Sequence, residues 1–297
     1  MDIKGILVSV GGAEDKGTDL EQGVIKRNKL IFFELGILKK ITEFIDDTEA
    51  RIEVITTASS IPLEVGENYI SAFSKLGYNN VAMLDIRNRE DANKPEFIQR
   101  IKDCKGVMFS GGNQLRLTSI FGGTEMLEII KRRYQEEYFV ISGTSAGAMA
   151  MSNTMIYEGN AALSHLKGEV RITTGLGFAQ GIIIDSHFDK RGRFLRLAQA
   201  VAANPGAIGV GLGEDTAIII RKGHLCETIG SGGVVIIDGH FVGYNNIGDA
   251  DFDAPFSVEN LKVHIMQAGN AYDLKSRIFE PTYKELKEKL KKATEIH

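Results

Sequence analysis

The sequence predicts an α/β fold: a mostly parallel sheet with helices on both faces, continued by an antiparallel extension toward the C-terminus. Three observations lead there. Over residues 5–150 short apolar runs alternate with helix-period segments, the pattern of βαβ units. The runs are continuously apolar rather than alternating, as in strands buried on both faces. From about residue 217 closely spaced β-prone runs take over, which suits antiparallel pairing.

Gly5 to Val10 is the first expected strand, broken at Gly11-Gly12 and followed by a polar loop over residues 13–28. Lys29 to Ile45 carries apolar residues at helical spacing. A strand over residues 51–57, a helix from Glu64 to Leu76 ended by Gly77, and a strand over residues 81–86 come next. Pro95 suits the first turn of a helix reaching Cys104. Gly106 to Ser110 is a strand broken by Gly111-Gly112, with helices expected over residues 114–121 and 125–136. Phe139 to Ser142 is the fifth strand, and Ala146 to Met151 continues as helix. Residues 157–177 show no clear period. Gly181 to Asp185 is a strand, Arg193 to Ala203 a helix, and Ile208 to Leu212 a further strand leading to Glu214. Strands over 217–221, 225–229 and 233–237 follow, the last turning at Asp238-Gly239 into His240 to Tyr244, a hairpin signal. Val263 to Gln267 closes the strands and residues 283–293 form a charged helix. Since no Pro/Ser-rich linker intervenes, residues 1–297 are expected to form one domain with a β-rich extension of the same sheet from about 217.

Composition narrows the function. The chain is 43% hydrophobic and 25% charged, with a net charge of -4, which argues against a general nucleic-acid binder. Cys104 and Cys226 stand far apart and imply no disulfide framework. The N-terminal apolar run is too short for a signal peptide, and no run reaches transmembrane length. A cytoplasmic protein is expected.

Gly143-Thr144-Ser145-Ala146-Gly147, set between a strand and a helix, has the form of a nucleophile elbow. Such a turn lifts a strained serine above the sheet edge at a helix N-terminus, where developing negative charge is favoured. The serine then needs a base and a group to orient it. Among six histidines, His187 follows the C-terminal end of an expected parallel strand, where an open α/β sheet places its ligand crevice. Glu214 follows another such strand, with Asp185, Asp189 and Asp215 as competitors for the orienting role. One oxyanion donor is expected from the Ala146 amide. The second is expected from Gly111-Gly112-Asn113, at Gly112 or Asn113, where glycine permits close approach. Asp185, His187 and Asp189 alternate and on an extended backbone would share a face as metal ligands, but no second His/Cys cluster supports a metal. No dinucleotide fingerprint spacing surrounds Gly11-Gly12.

Several motifs in order resemble the cyanophycinases: Gly11-Gly12-Ala13-Glu14-Asp15-Lys16, Gly111-Gly112-Asn113-Gln114, Gly143-Thr144-Ser145-Ala146-Gly147-Ala148, Asp185-Ser186-His187-Phe188, Arg191-Gly192-Arg193-Phe194-Leu195-Arg196-Leu197 and Gly211-Leu212-Gly213-Glu214-Asp215. These are serine peptidases of class I glutamine-amidotransferase-like fold, related to the aspartyl dipeptidases. The resemblance implies a triad of Ser145, His187 and Glu214, and a substrate site at Gln114, Asp185, Arg191, Arg193 and Arg196. Ser186 stands where the family usually has Gln.

The implied substrate is cyanophycin, a polyaspartate backbone with arginine joined to each side-chain carboxyl. The implied product is the β-aspartyl-arginine dipeptide, released from a chain end without metal or organic cofactor. Small aspartyl or isoaspartyl peptides are the alternative substrates, and a non-catalytic binding protein on the same fold is a further reading. A site for so zwitterionic a branch needs cations for carboxylates. Arg193 and Arg196, three apart on a helix face, with Arg191 before it, would supply a carboxylate clamp. A homodimer is implied, with no nucleic-acid or membrane partner.

Overall fold

The computed structural model describes residues 2–13, 36–189 and 192–295 of the protein. Its first five strands are β1 (Ile3–Val10), β2 (Ile52–Ile55), β3 (Val81–Leu84), β4 (Gly106–Phe109) and β5 (Val140–Thr144). They pair in parallel in the order β1-β5-β4-β2-β3. The register sets Val10 beside Thr144 and Ile55 beside Phe109. The segments that leave these strands, at Gly11, Thr56, Ser110 and Ser145, therefore emerge along one sheet edge.

Both faces of this parallel half are covered. The helices are α1 (Ile37–Ile45), α2 (Pro62–Lys75), α3 (Pro95–Asp103), α4 (Gln114–Phe121), α5 (Glu125–Glu136) and the short α6 (Ala146–Ala150). Strand alternation sends Ile6, Val8, Val10, Val54 and Met108 toward Ile41 of α1 and Phe73 of α2. The intervening residues Leu7, Val107, Phe109 and Ile141 pack with Ile101 of α3, Leu117 of α4 and Ile130 of α5. Each such side chain contributes about 1.5–3 kcal/mol on burial. Local signals agree: Pro95 opens α3, and the side chains of Asn113 and Thr124 cap α4 and α5 by accepting from Leu115 N and Leu127 N. The start of the expected helix over 29–45, and all but Ala13 of the expected loop over 13–28, lie outside the described residues.

Beyond α6, β6 (Thr154–Glu158) and β7 (Arg171–Thr174) form an antiparallel ribbon inside the stretch without a clear period. Next come β8 (Ile182–Asp185), α7 (Phe194–Ala203), β9 (Ile208–Leu212), β10 (Thr216–Lys222), β11 (Leu225–Gly230), β12 (Val234–Asp238), β13 (Lys262–Met266), β14 (Ala271–Asp273), β15 (Ile278–Glu280) and α8 (Tyr283–Glu295). The antiparallel extension of the large sheet exists, in the order β1-β10-β11-β14-β15.

Two expectations are corrected. First, β8, β9, β12 and β13 leave the large sheet and form a four-stranded sheet of their own, ordered β13-β12-β9-β8. The reason is edge occupancy: β10 pairs along β1 from Ile3↔Lys222 to Val10↔Ala217, so no other strand, earlier or later in the chain, can pair there. Second, Asp238-Gly239 does not form a hairpin with residues 240–244. Strand β12 is already flanked by β9 and β13, and the Asp238 carboxylate accepts from His240 N to turn the chain away. Helix α7 covers the small sheet, with Leu197 and Val201 against Ile183 and Ile237.

Candidate active site

Ser145 sits between β5 and α6 at φ 50, ψ -110, a region that L-residues occupy only under strain. Its neighbours explain the glycines. A Cβ on Gly143 would lie 2.7 Å from Met151 Cε, and one on Gly147 would lie 2.4 Å from the Phe109 carbonyl oxygen. Strand and helix meet too closely there for any side chain. The turn is fixed by Ser145 N donating to Val10 O at 2.9 Å.

The small sheet abuts this edge and delivers two more groups. His187 follows β8 and Glu214 follows β9. Ser145 Oγ lies 2.9 Å from His187 Nε2, and His187 Nδ1 lies 3.1 Å from Glu214 Oε1. The imidazole is 19% exposed and the carboxylate 18%, so the line of bonds opens to solvent at one side. Backbone hydrogen bonds sew the two sheets together here, His187 N to Gly11 O at 2.9 Å and Asp215 N to Gly12 O at 2.8 Å, while Phe188 N to Leu212 O at 3.0 Å ties the end of β8 to β9 within the small sheet. His187 and Asp215 both take positive φ, 49 and 47. Glu214 is further set by its amide donating to Asp189 Oδ1 at 3.2 Å.

Of the carboxylates that competed to orient His187, the one in contact is Glu214. Asp185 turns to arginines, Asp189 holds the Glu214 amide, and Asp215 accepts from Ser231 Oγ. The shared face expected of Asp185, His187 and Asp189 does not form, because positive φ at His187 breaks the extended backbone. No group of three His, Cys, Asp or Glu converges among the described residues.

Two amides near Ser145 suit a developing oxyanion. Ala146 N is the first amide of α6, which the helix itself cannot satisfy. The loop after β4 approaches from the other side, with a Cβ on Gly111 reaching 3.4 Å from Ser145 Cβ. Between Gly112 and Asn113 the structure separates the two expected donors. Asn113 N donates to Ala58 O at 2.9 Å, so its amide is engaged and the expectation of Asn113 as a donor is corrected. A Cβ at Gly112, where φ is 138, would fall 2.1 Å from Ala58 O, so only glycine fits.

The expected substrate residues divide. Gln114, at the start of α4, donates from Nε2 to the carbonyls of Ile156 at 3.1 Å and Tyr157 at 3.2 Å and ties β6 to the crevice. Arg191 lies outside the described residues. Asp185 is wholly buried and accepts from Arg193 Nη1 at 3.0 Å, Arg196 Nε at 2.8 Å and Arg196 Nη2. Arg193 also donates to Ser186 O at 2.6 Å. The open carboxylate clamp expected of Arg193 and Arg196 is corrected: a fully buried carboxylate needs compensating charge, and Asp185 takes both guanidiniums. Ser186 is likewise corrected. It is 1% exposed and its Oγ lies 3.2 Å from Met149 Sδ, so it packs beneath α6 instead of lining a pocket.

Sequence reasoning gave no role to Gly11 and Gly12. A Cβ on Gly12 would lie 2.4 Å from His187 Cε1, and one on Gly11 would lie 2.0 Å from Gly213 O. The glycine pair makes room for both the histidine and the glutamate loops, and its position just after the first strand was the available signal. Cys104 is buried, and burial pushes its thiol up to about 12, so it is no rival nucleophile.

Comparison with known proteins gives the family. The sequence model of peptidase family S51 matches residues 33–228. A cyanophycinase of Geminocystis herdmanii is 32% identical over 274 residues, covering 92% of this chain and 95% of the relative. One from Trichormus variabilis is 33% identical over 278 residues, covering 94% and 88%. Among solved structures, a peptidase from an acI-B1 Actinobacterium superposes with a TM-score of 0.62 at 22% identity, covering 92% of this chain and 98% of that one; this likeness speaks to the fold. With relatives this similar over nearly their whole length, the chain belongs to peptidase family S51, a family of serine peptidases.

Proposed function

We propose that the chain degrades cyanophycin, with Ser145 as nucleophile on a nucleophile elbow, His187 as general base and acid, and Glu214 as the group that orients His187. The observation that carries this reading is the unbroken line from Ser145 Oγ through His187 to Glu214, at 2.9 and 3.1 Å, in a chain whose relatives are cyanophycinases.

The chemistry is acyl transfer. Oγ attacks the backbone carbonyl carbon while its proton passes to His187 Nε2. The resulting oxyanion is held by the Ala146 and Gly112 amides, donors fixed before reaction by the helix start and the glycine loop. As the C–N bond breaks, Nε2 returns the proton to the leaving nitrogen. Water then attacks the aspartyl ester, with His187 taking its proton and restoring Oγ. Glu214 holds the imidazole in the required tautomer and stabilises it when charged. The product is β-aspartyl-arginine. Gln114 and Arg191 remain the proposed contacts to substrate, while Asp185, Arg193 and Arg196 support the backbone at Ser186, next to the base.

In this reading the enzyme acts in the cytoplasm as a homodimer, which sedimentation of the purified protein tests. A panel of cyanophycin and unbranched aspartyl and isoaspartyl dipeptides tests the substrate. Release of β-aspartyl-arginine from cyanophycin is expected. Rapid cleavage of the dipeptides with cyanophycin untouched would instead make the chain a dipeptidase.

A further inference from the structure

The four residues that leave β2, Thr56 to Ser59, have every carbonyl occupied by a donor from outside the strand. Arg87 gives Nη1 to Thr56 O at 3.3 Å and Nη2 to Ser59 O at 3.1 Å. Arg116 gives Nε to Thr57 O at 2.9 Å, and Asn113 N takes Ala58 O. Arg87 is thereby committed through both terminal nitrogens. Arg116 is not. A guanidinium carries five N–H donors, and among the described residues nothing accepts from Nη1 or Nη2 of Arg116. No described carboxylate lies within ion-pair distance of it, while the Arg87 guanidinium has Asp85 at 3.9 Å. A half-buried guanidinium pinned at one nitrogen, with its fork unmet, suits a planar anion.

Its place gives that fork a purpose. Ser145 ends β5, the loop of Gly111 and Gly112 ends β4, and Thr57 lies just past β2, in sheet order β5-β4-β2. Thr57 is thus two strand spacings, about 10 Å, from the serine, with the glycine loop between them. That is the reach of one branch on a residue neighbouring the scissile bond. Leu115 beside Arg116 is 38% exposed, and Ile61 and Leu63 beyond Ser59 are 53% and 62% exposed. They supply apolar surface for the methylenes of such a branch.

We propose that Arg116 is a specificity-determining subsite that binds a carboxylate carried on a substrate branch, on the β2 side of Ser145. The inference rests on the cyanophycin reading, in which each branch ends in an arginine α-carboxylate.

The test uses two substrates: a short β-aspartyl-arginine oligomer and the same oligomer with every arginine carboxylate capped as the primary amide. The unsubstituted protein is expected to prefer the carboxylate form by about tenfold or more in kcat/KM, expressed in KM, as the loss of a charge-assisted bond implies. Arg116→Gln is expected to abolish that preference. Arg116→Lys is expected to keep only part of it, because an ammonium does not reproduce the fork. Both substrates meet the same sample, so a partly unfolded variant lowers both rates alike and leaves their ratio intact. A preference retained in Arg116→Gln overturns the inference and reduces Arg116 to a brace for Thr57. If the unsubstituted protein cleaves neither oligomer, the cyanophycin reading fails and takes the inference with it.

Discussion

Replacing Gly12 with alanine perturbs the base without removing any reacting atom. The new Cβ would stand 2.4 Å from His187 Cε1 and 2.6 Å from Nε2. Non-bonded carbon contacts settle near 3.5 Å, so the ring must retreat by about 1 Å. It is held at 2.9 Å from Ser145 and 3.1 Å from Glu214, and a retreat of that size breaks at least one of those bonds. Misplacing a catalytic group by about 1 Å costs about a hundredfold in rate. Backbone strain comes with it, since φ is 117 at Gly12, at about 1–3 kcal/mol and about 2–4 °C of Tm per kcal/mol for a chain of this size. Gly77→Ala separates the two effects: φ there is 88 and nothing lies within 4 Å of the added carbon. Turnover and the rate of fluorophosphonate labelling of Ser145 are the assays. Gly77→Ala is expected to lower Tm and keep turnover, while Gly12→Ala loses turnover about a hundredfold. Ordinary labelling and turnover in Gly12→Ala would refute the placement of His187 over Gly12.

Three further outcomes follow from named contacts. Glu214→Gln keeps the side chain's shape but not its charge, and should cut kcat by about 10³–10⁴ with KM little changed; a mild effect, with Asp189→Asn more damaging, would reassign the orienting role. Ser186→Gln, which the resemblance alone suggests is harmless, should destabilise by about 1–3 kcal/mol because it overpacks a buried site against Met149; an unchanged Tm would contradict that burial. Asp273 tests acid stability: burial raises its carboxyl, but hydrogen bonds from Ser276, His224 and the Lys275 amide outweigh this and hold it below its ordinary 3.8. A lowered folded value means stability present above about 3.8 and lost as pH falls through the folded value, so Asp273→Asn should flatten acid unfolding below that pH, and an identical acid limb would show that the carboxylate contributes nothing.

Much of this was legible in the sequence because local chemistry and long-range role coincide. The run from Val140 to Gly147 announces strand, turn and helix by composition alone, and His187 and Glu214 follow strands whose ends must meet a crevice. The division into two sheets was not legible. Strands β9 and β10, separated only by Gly213 to Asp215, read as neighbours in one sheet, and which edge each takes depends on β10 having already claimed β1. The fate of the arginines was hidden for a similar reason. Spacing puts Arg193 and Arg196 on one helix face, but the partner beneath that face, Asp185, is set by how α7 packs on β8. Gly12 shows the same limit, since the ring it accommodates arrives from 175 residues later.

The account stands on Ser145 carrying the acyl group, and that can be read directly. Cyanophycin is mixed with enzyme, quenched in acid within milliseconds, and the digested protein is mapped by mass. An ester of a substrate aspartyl carbonyl on the peptide containing Ser145, carrying whatever part of the polymer lies on the acyl side of the cut bond, present in the active protein and absent from Ser145→Ala, which should also lose turnover by several orders of magnitude, is the predicted result. Undiminished release of dipeptide by Ser145→Ala would contradict the account.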